Sequence, residues 1–384
     1  MPEEHTERVL TPAFALSFAA NFLQSLAFML YIHLPGFLQD LGADEIAIGI
    51  IFSVTALTAI IAKPPIGRAM DAQGRRVVIL VGGLLNVLVC FLYLTVSTLG
   101  PWLYTVRIGH GVAEAMLFAA LFTHAADLVP ASRRTEGMAL FGVSGLLPMS
   151  LGGVLGDLIL GYATYRELFL ASGVLAVASL LLSLPLRDHP PAADDLPPRG
   201  FLTAIAEPRL LPLWFVGTVF AIALAAHFAF LKTFILATGI GSVGLFFTAY
   251  SAAAIVLRLF FGWIPDRIGP TRALHPSLGL LALGFVLLAF ASTATEVAIA
   301  GALCGLGHGF TFPILSGLVV SRARPAERGA AMSLFTALFD GGVLIGGPLL
   351  GATIRFAGYP AMFLTAAGML VVGSIIFGLW DRQR

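Results

Sequence analysis

Charge deep in an apolar segment is costly, so ionisable residues inside this chain's apolar runs are the first candidates for chemistry. Arg107, His110 and Glu114 lie three and four residues apart. At about 100° per residue they share one helical face. Glu114 stands about 20 Å below Pro101 at about 1.5 Å per residue, near mid-membrane. Two chemistries fit. Glu114 exchanges a proton while Arg107 tunes its affinity, with His110 beside them, or Arg107 and Glu114 form a permanent pair that fixes packing. Asp340 is the other deep acid, next to Gly341-Gly342, which allow close backbone approach or a flexible point. It suits proton exchange or solute contact, or has a counter-charge elsewhere in the fold. Lys63 and Arg258 each stand eight residues, about 12 Å, from an aspartate at the end of their run. As cations they suit an anionic group, or they snorkel to the interface. Asn21 and Gln24 offer amides to a solute or to neighbouring helices. Lys232, near the end of its run, is expected to snorkel, and His124, His227 and His308 to be packing residues.

A second kind of chemistry belongs to one loop. Gly67-x3-Asp71-x2-Gly74-Arg75-Arg76 joins two apolar runs. Gly67 is expected to let helices approach closely, and Gly74 permits a tight turn. Asp71 can accept from a helix N-terminus and pair with arginines. A weaker copy, Gly262-x3-Asp266-x2-Gly269, continues with Pro270-Thr271 in place of the arginines.

The elements that position these groups follow from composition. Of 384 residues, 58% are hydrophobic and 11% charged, against about 25% charged in soluble domains. Only a bilayer accommodates so much apolar surface. The net charge of +1 argues against a nucleic-acid partner. Cys90 and Cys304 fall in apolar runs, as small core residues do. No metal-ligand spacing occurs, and no Gly-rich phosphate loop implies a nucleotide, so no cofactor is expected. Met1–Val9 is acidic and polar, unlike a signal peptide, and the first apolar run is long enough to span.

Runs of roughly 20 apolar residues lie near Leu10–Ile32, Ile46–Met70, Val77–Ser97, Pro101–Leu128, Met138–Tyr162 and Leu168–Leu186. Six more lie near Leu211–Thr238, Val243–Trp263, Leu274–Ser292, Thr295–Val320, Gly329–Ile354 and Ala361–Trp380. The sets repeat. Lys63, Gly67, Asp71 and Gly74 match Arg258, Gly262, Asp266 and Gly269 at a shift of 195, and Gly109-His110-Gly111 matches Gly307-His308-Gly309 at a shift of 198. The expected fold is an all-α membrane protein of twelve transmembrane helices. It has two pseudo-symmetric six-helix bundles, 1–186 and 210–384, joined by a linker at 187–209. Sixteen arginines fall on the side of the two termini, against Arg166 and Arg355 on the other. That bias places both termini in the cytoplasm.

The loop at Gly67–Arg76 resembles the signature of the major facilitator superfamily, and with the repeat and span count the resemblance covers the whole chain. It implies a transporter of a small solute in the cell inner membrane, usually monomeric. It also implies that Gly67, Asp71, Gly74, Arg75, Arg76 and Asp127, with Gly262, Asp266 and Gly269 in the second copy, latch the cytoplasmic side shut. Arg107-x2-His110-Gly111 resembles the family's span-four arginine motif, implicated in proton coupling, with His110 where glutamine is more usual. Lys63-Pro64 resembles a basic-Pro pair of a bacterial efflux-like branch. The span-five antiporter pattern is degenerate: Gly152-Gly153 fits, but Pro148 and Met149 stand at its Gly-Pro places. The reading is proton-coupled efflux. Alternatives are proton-coupled uptake of a small organic anion or metabolite and, more distantly, a non-transporting receptor. Short loops without a polar cluster at one interface argue against a membrane enzyme.

Overall fold

The computed structural model describes residues 10–130, 133–188, 207–324 and 328–382, with the backbone alone described at Asp71, Arg134, Thr135, Glu136, Ala139, Asp266, Arg328, Gly329, Ala330 and Arg382. Among these residues every regular element is helical. Eleven helices are long and apolar enough to cross a membrane. Helices satisfy their own backbone groups, which hydrocarbon requires.

The order is α1 (Pro12–Met29), a 3-10 turn (Leu30–His33), α2 (Leu34–Asp40), α3 (Glu45–Gln73), α4 (Arg75–Leu92), α5 (Pro101–Leu128), α6 (Arg134–Tyr162) and α7 (Tyr165–Ser183). Then come α8 (Leu211–Thr238), α9 (Val243–Phe261), α10 (Ile264–Ile268), α11 (Pro270–Phe290), α12 (Ala294–Arg322) and α13 (Arg328–Arg382). Local sequence sets many of the ends. Proline opens α1, α5 and α8 near the first position, where no N–H is missed. Thr164 with Glu167, and Thr293 with Glu296, form capping boxes. Gly239, at φ 69°, closes α8.

One expectation about length changes. The first apolar run does not stop at Ile32 but continues through the 3-10 turn into α2, making one stretch over Pro12–Asp40. The last two runs follow one another without a loop, as two helical segments of α13 that meet at a kink within an apolar stretch of 51 residues. It breaks at Gly358, where φ is 83° and ψ 173°, a conformation open to glycine.

Contacts divide the chain into two compact units. The first holds Met1–Tyr31 and Ile61–Asp194, and the second Ile32–Ile60 and Asp195–Arg384. In the first, α1 packs on α6 and α7, and α4 on α5 and α7. In the second, α8 lies along α13, and α12 packs on α9 and α11. Helix α8 is buried on nearly every side. A Cβ at Gly301 or Gly305 of α12 would strike the carbonyls of Phe246 and Tyr250 on α9, so small residues set that crossing.

The unit boundary falls inside α3, just ahead of Lys63-Pro64-Pro65. Residues 45–53 join the second unit through a backbone-to-backbone crossing with α13. A Cβ on Gly49 would enter the Gly347 carbonyl, one on Gly347 would enter Gly49 and Ser53, and one on Gly351 would enter the Glu45 carbonyl. Ser53 Oγ donates to the Val343 carbonyl at 3.4 Å. Asp44 caps α3 through the N–H of Ala47 at 2.8 Å and also binds Arg355.

Apolar side chains cover the outer faces of both units. Leu84, Leu88, Phe118, Leu259 and Phe260 are exposed in the isolated chain, a surface that only a bilayer solvates well. Cys90 and Cys304 are free and buried.

Candidate functional site

Three groups of polar contacts account for most of the residues singled out in the sequence. The first is deep in the first unit. Arg107 and His110, on successive turns of α5, are buried at 3% and 1% exposure. Tyr93, just past α4, joins them. Arg107 Nη1 donates to the Tyr93 hydroxyl at 3.3 Å, and that hydroxyl lies 3.2 Å from His110 Nδ1. A guanidinium only donates, so the tyrosine oxygen accepts from Arg107, while the direction of its bond to His110 Nδ1 follows the imidazole tautomer. His110 Nε2 meets no hydrogen-bond partner among the described residues. Tyr31 and Phe28 stack edge-on against the same ring at 4.4 and 5.4 Å. Glu114, one turn further along α5, is half-buried.

The amides near this cluster are used in packing. Asn86 Nδ2 donates to Gln24 Oε1 at 2.9 Å, and Gln24 is buried. Asn21 Nδ2 donates to Ser144 Oγ at 2.7 Å. Each amide thus makes one helix-to-helix contact.

The second group sits where α3 turns into α4. Gly74 adopts φ 88°, a region glycine enters without steric cost. Arg75 Nε pairs with Asp127 Oδ2 at 2.9 Å, with side-chain exposures of 12% and 19%. Its Nη1 donates to the Met70 carbonyl at 3.2 Å. One guanidinium therefore ties the end of α3, the start of α4 and the end of α5. Arg76 turns instead to the end of α7, donating to the carbonyls of Leu186 and Leu184 at 2.7 and 3.1 Å. Among the described residues nothing lies within 4 Å of a Cβ placed on Gly67, so none of them makes the expected close helix approach there. The roles expected of the Asp71 and Asp266 carboxylates lie outside the described side chains.

The third group belongs to the second unit. Tyr250 binds His308 Nδ1 through its hydroxyl. Arg258 Nε donates to the Gly309 carbonyl at 3.1 Å. His308 is the repeat counterpart of His110, so each unit holds a tyrosine–histidine pair with an arginine nearby. The tyrosines come from non-equivalent helices, α4's end and α9, which is why the repeat alone did not reveal the pairing. In the second copy of the loop, Gly269 is likewise at positive φ, 94°. There Arg322, at the end of α12, pairs with Asp381 and reaches Thr271 Oγ1 at 3.5 Å.

Lys63 and Asp340 are half-buried in α3 and α13. Next to Asp340, a Cβ on Gly342 would meet Thr218 and Ala221 of α8, so the expected close backbone approach is made there. Lys232 departs from expectation. It is 8% exposed and lies within α8, so it is enclosed by protein and does not snorkel.

A family model described as Major Facilitator Superfamily matches residues 13–242 and again 213–384. The chain belongs to the Major Facilitator Superfamily. It is 25% identical over 363 residues to an uncharacterized MFS-type transporter, YhhS, of Escherichia coli K12, covering 89% of this chain and 86% of the relative. It is 27% identical over 389 residues to the multidrug resistance protein MdtG of Enterobacter lignolyticus, covering 94% and 90%. Among solved structures, the nucleoside transporter NupG superposes with a TM-score of 0.78 at 16% identity, covering 97% of this chain and all of NupG. The POT family transporter PepTSo superposes with a TM-score of 0.80 at 13% identity, covering 97% and 98%. At those identities the likeness is one of fold. As a family member, this chain is a transporter of the multi-pass membrane class and not an enzyme.

Proposed function

We propose that the protein is a twelve-span secondary transporter of a bacterial inner membrane, with both termini cytoplasmic, and that it exports a small solute in exchange for protons. The 51-residue apolar stretch supports the span count, because its break at Gly358 divides it into two segments of spanning length. The repeats 1–186 and 210–384 are the halves that alternate access. The observation that carries the reading is the Arg75–Asp127 pair. It sits in the loop that the family uses as a latch, next to a span that carries a buried arginine–tyrosine–histidine cluster and an acid at mid-depth. The protein is expected to act as a monomer.

In this mechanism Glu114 and Asp340 carry the proton, Arg107 and His110 set the affinity of Glu114, and Lys63 and Arg258 favour an anionic or zwitterionic group on the solute. Asn21 and Gln24 line the solute path, and one hydrogen bond from each amide also ties neighbouring helices. Efflux is favoured over uptake by the similarity to a protein named for multidrug resistance and by the Lys63-Pro64 pair.

Comparing culture supernatants of a deletion strain and its parent identifies the exported solute. Proteoliposomes carrying a pH-sensitive dye then test coupling. Solute moving down its gradient is expected to drive protons the opposite way. Glu114→Gln and Asp340→Asn are each expected to cut that proton flux by about tenfold or more while solute binding persists. If both variants keep pH-driven flux at the wild-type rate, proton coupling through these acids is wrong. If no solute accumulates differently, export is wrong.

A further inference from the structure

The chain leaving α7 touches the gating loop in a way that the loop signature does not predict. Helix α4 begins at Gly74, which has no side chain to cap it. Its cap comes from Asp188, more than a hundred residues away: the Arg76 N–H donates to Asp188 Oδ1 at 2.8 Å. A Cβ on Gly74 would collide with that carboxylate, so glycine is needed there for room as well as for its φ of 88°. A carboxylate at a helix N-terminus also meets the positive end of the helix dipole. The neighbours of Asp188 are fixed too. Leu186 gives its carbonyl to Arg76 at 2.7 Å. Arg187 places its carbonyl 3.0 Å from His124 Nε2, while His124 Nδ1 lies 3.3 Å from Ser17 Oγ. Three consecutive residues are thus held by α4 and α5, all within the first unit.

We infer that Asp188 is a positioning residue of the cytoplasmic latch: by capping α4 it fixes the first turn from which Arg75 reaches Asp127. The inference rests on the reading of Arg75–Asp127 as a latch. Asparagine at 188 keeps an acceptor and loses the charge, whereas alanine loses both.

Hydrogen–deuterium exchange of the full-length protein in lipid nanodiscs tests this with Asp188→Ala, Asp188→Asn and Arg75→Gln. Loss of the cap in Asp188→Ala is expected to raise exchange in the first turn of α4 about fivefold, and Asp188→Asn by less. A mere anchor for the linker would stop there. Positioning of Arg75 requires more: exchange at the end of α5, around Asp127, also rises, and Asp188→Ala adds nothing there once Arg75→Gln is present. An effect passed through His124 and Arg187 would add to that of Arg75→Gln, and this additivity overturns the inference. So does unchanged exchange in the first turn of α4, or a rise confined to residues 184–188. The latch reading fails separately: normal transport by Arg75→Gln removes the gate and leaves the exchange pattern of Asp188→Ala as evidence for positioning alone.

Discussion

Replacing Gly347 by leucine is expected to cut solute transport by about 10- to 100-fold while leaving the protein folded. The crossing of residues 45–53 with α13 has no room for a side chain. A Cβ on Gly347 meets the Gly49 backbone and Ser53 Oγ, and a Cβ on Gly49 meets the Gly347 backbone. Overpacking of this kind costs about 1–3 kcal/mol, and about 1.4 kcal/mol is tenfold in an equilibrium. A transporter that must close and reopen this crossing then spends far less time with it closed. Gly368→Leu, on the same helical stretch, is the control, because nothing lies within 4 Å of a Cβ there. The measurement is the initial rate of solute exchange in proteoliposomes, beside the melting temperature in detergent. A wild-type rate for Gly347→Leu would mean that the crossing stays shut through the cycle or takes no part in it.

The second large effect is expected at the α3–α4 turn. Arg75→Gln leaves the Asp127 carboxylate, which is mostly enclosed, without its ionic partner, and frees the Met70 carbonyl. Breaking a fully buried pair costs about 3–5 kcal/mol. With exposures of 12% and 19% the cost here is smaller, about 1–3 kcal/mol. Transport is expected to fall by about tenfold or more in Arg75→Gln and in Asp127→Asn. The double variant should be little worse than either single one. Additive losses would show that the two side chains act independently and that their contact is incidental.

The ends of Pro101–Leu128 and Leu211–Thr238 were readable residue by residue, because proline opens both helices and Gly239 closes the second. Boundaries without such punctuation were not. The continuation past Ile32 into α2 passes through a 3-10 turn that has neither glycine nor proline, and Pro35 stands in the first turn of α2, where a helix tolerates it. The common face of Arg107 and His110 followed from spacing, since i and i+3 positions adjoin on any helix. Their partner Tyr93 did not, because it arrives from the end of another helix. Arg75–Asp127 was legible through the loop signature, whereas Asp188 was not, being set by tertiary contact alone. Lys232 was misread because snorkelling assumes that a helix borders lipid, and α8 is instead surrounded by protein. Gly67 was misread because a glycine in a loop pattern does not say which neighbour, if any, comes near.

The opposite charges at Asp127 and Arg322 bear on how such a chain can be reshuffled by recombination. Each finds its counter-charge inside its own half, Arg75 for one and Asp381 for the other. A six-helix segment exchanged whole carries its partner with it. A single helix exchanged between equivalent places does not: α5, which ends in Asp127-Leu128 with no arginine in its last turns, would leave Asp381 without a counter-charge if grafted in place of α12. The heritable module in this architecture is therefore the half, and its individual helices have lost the freedom to trade places.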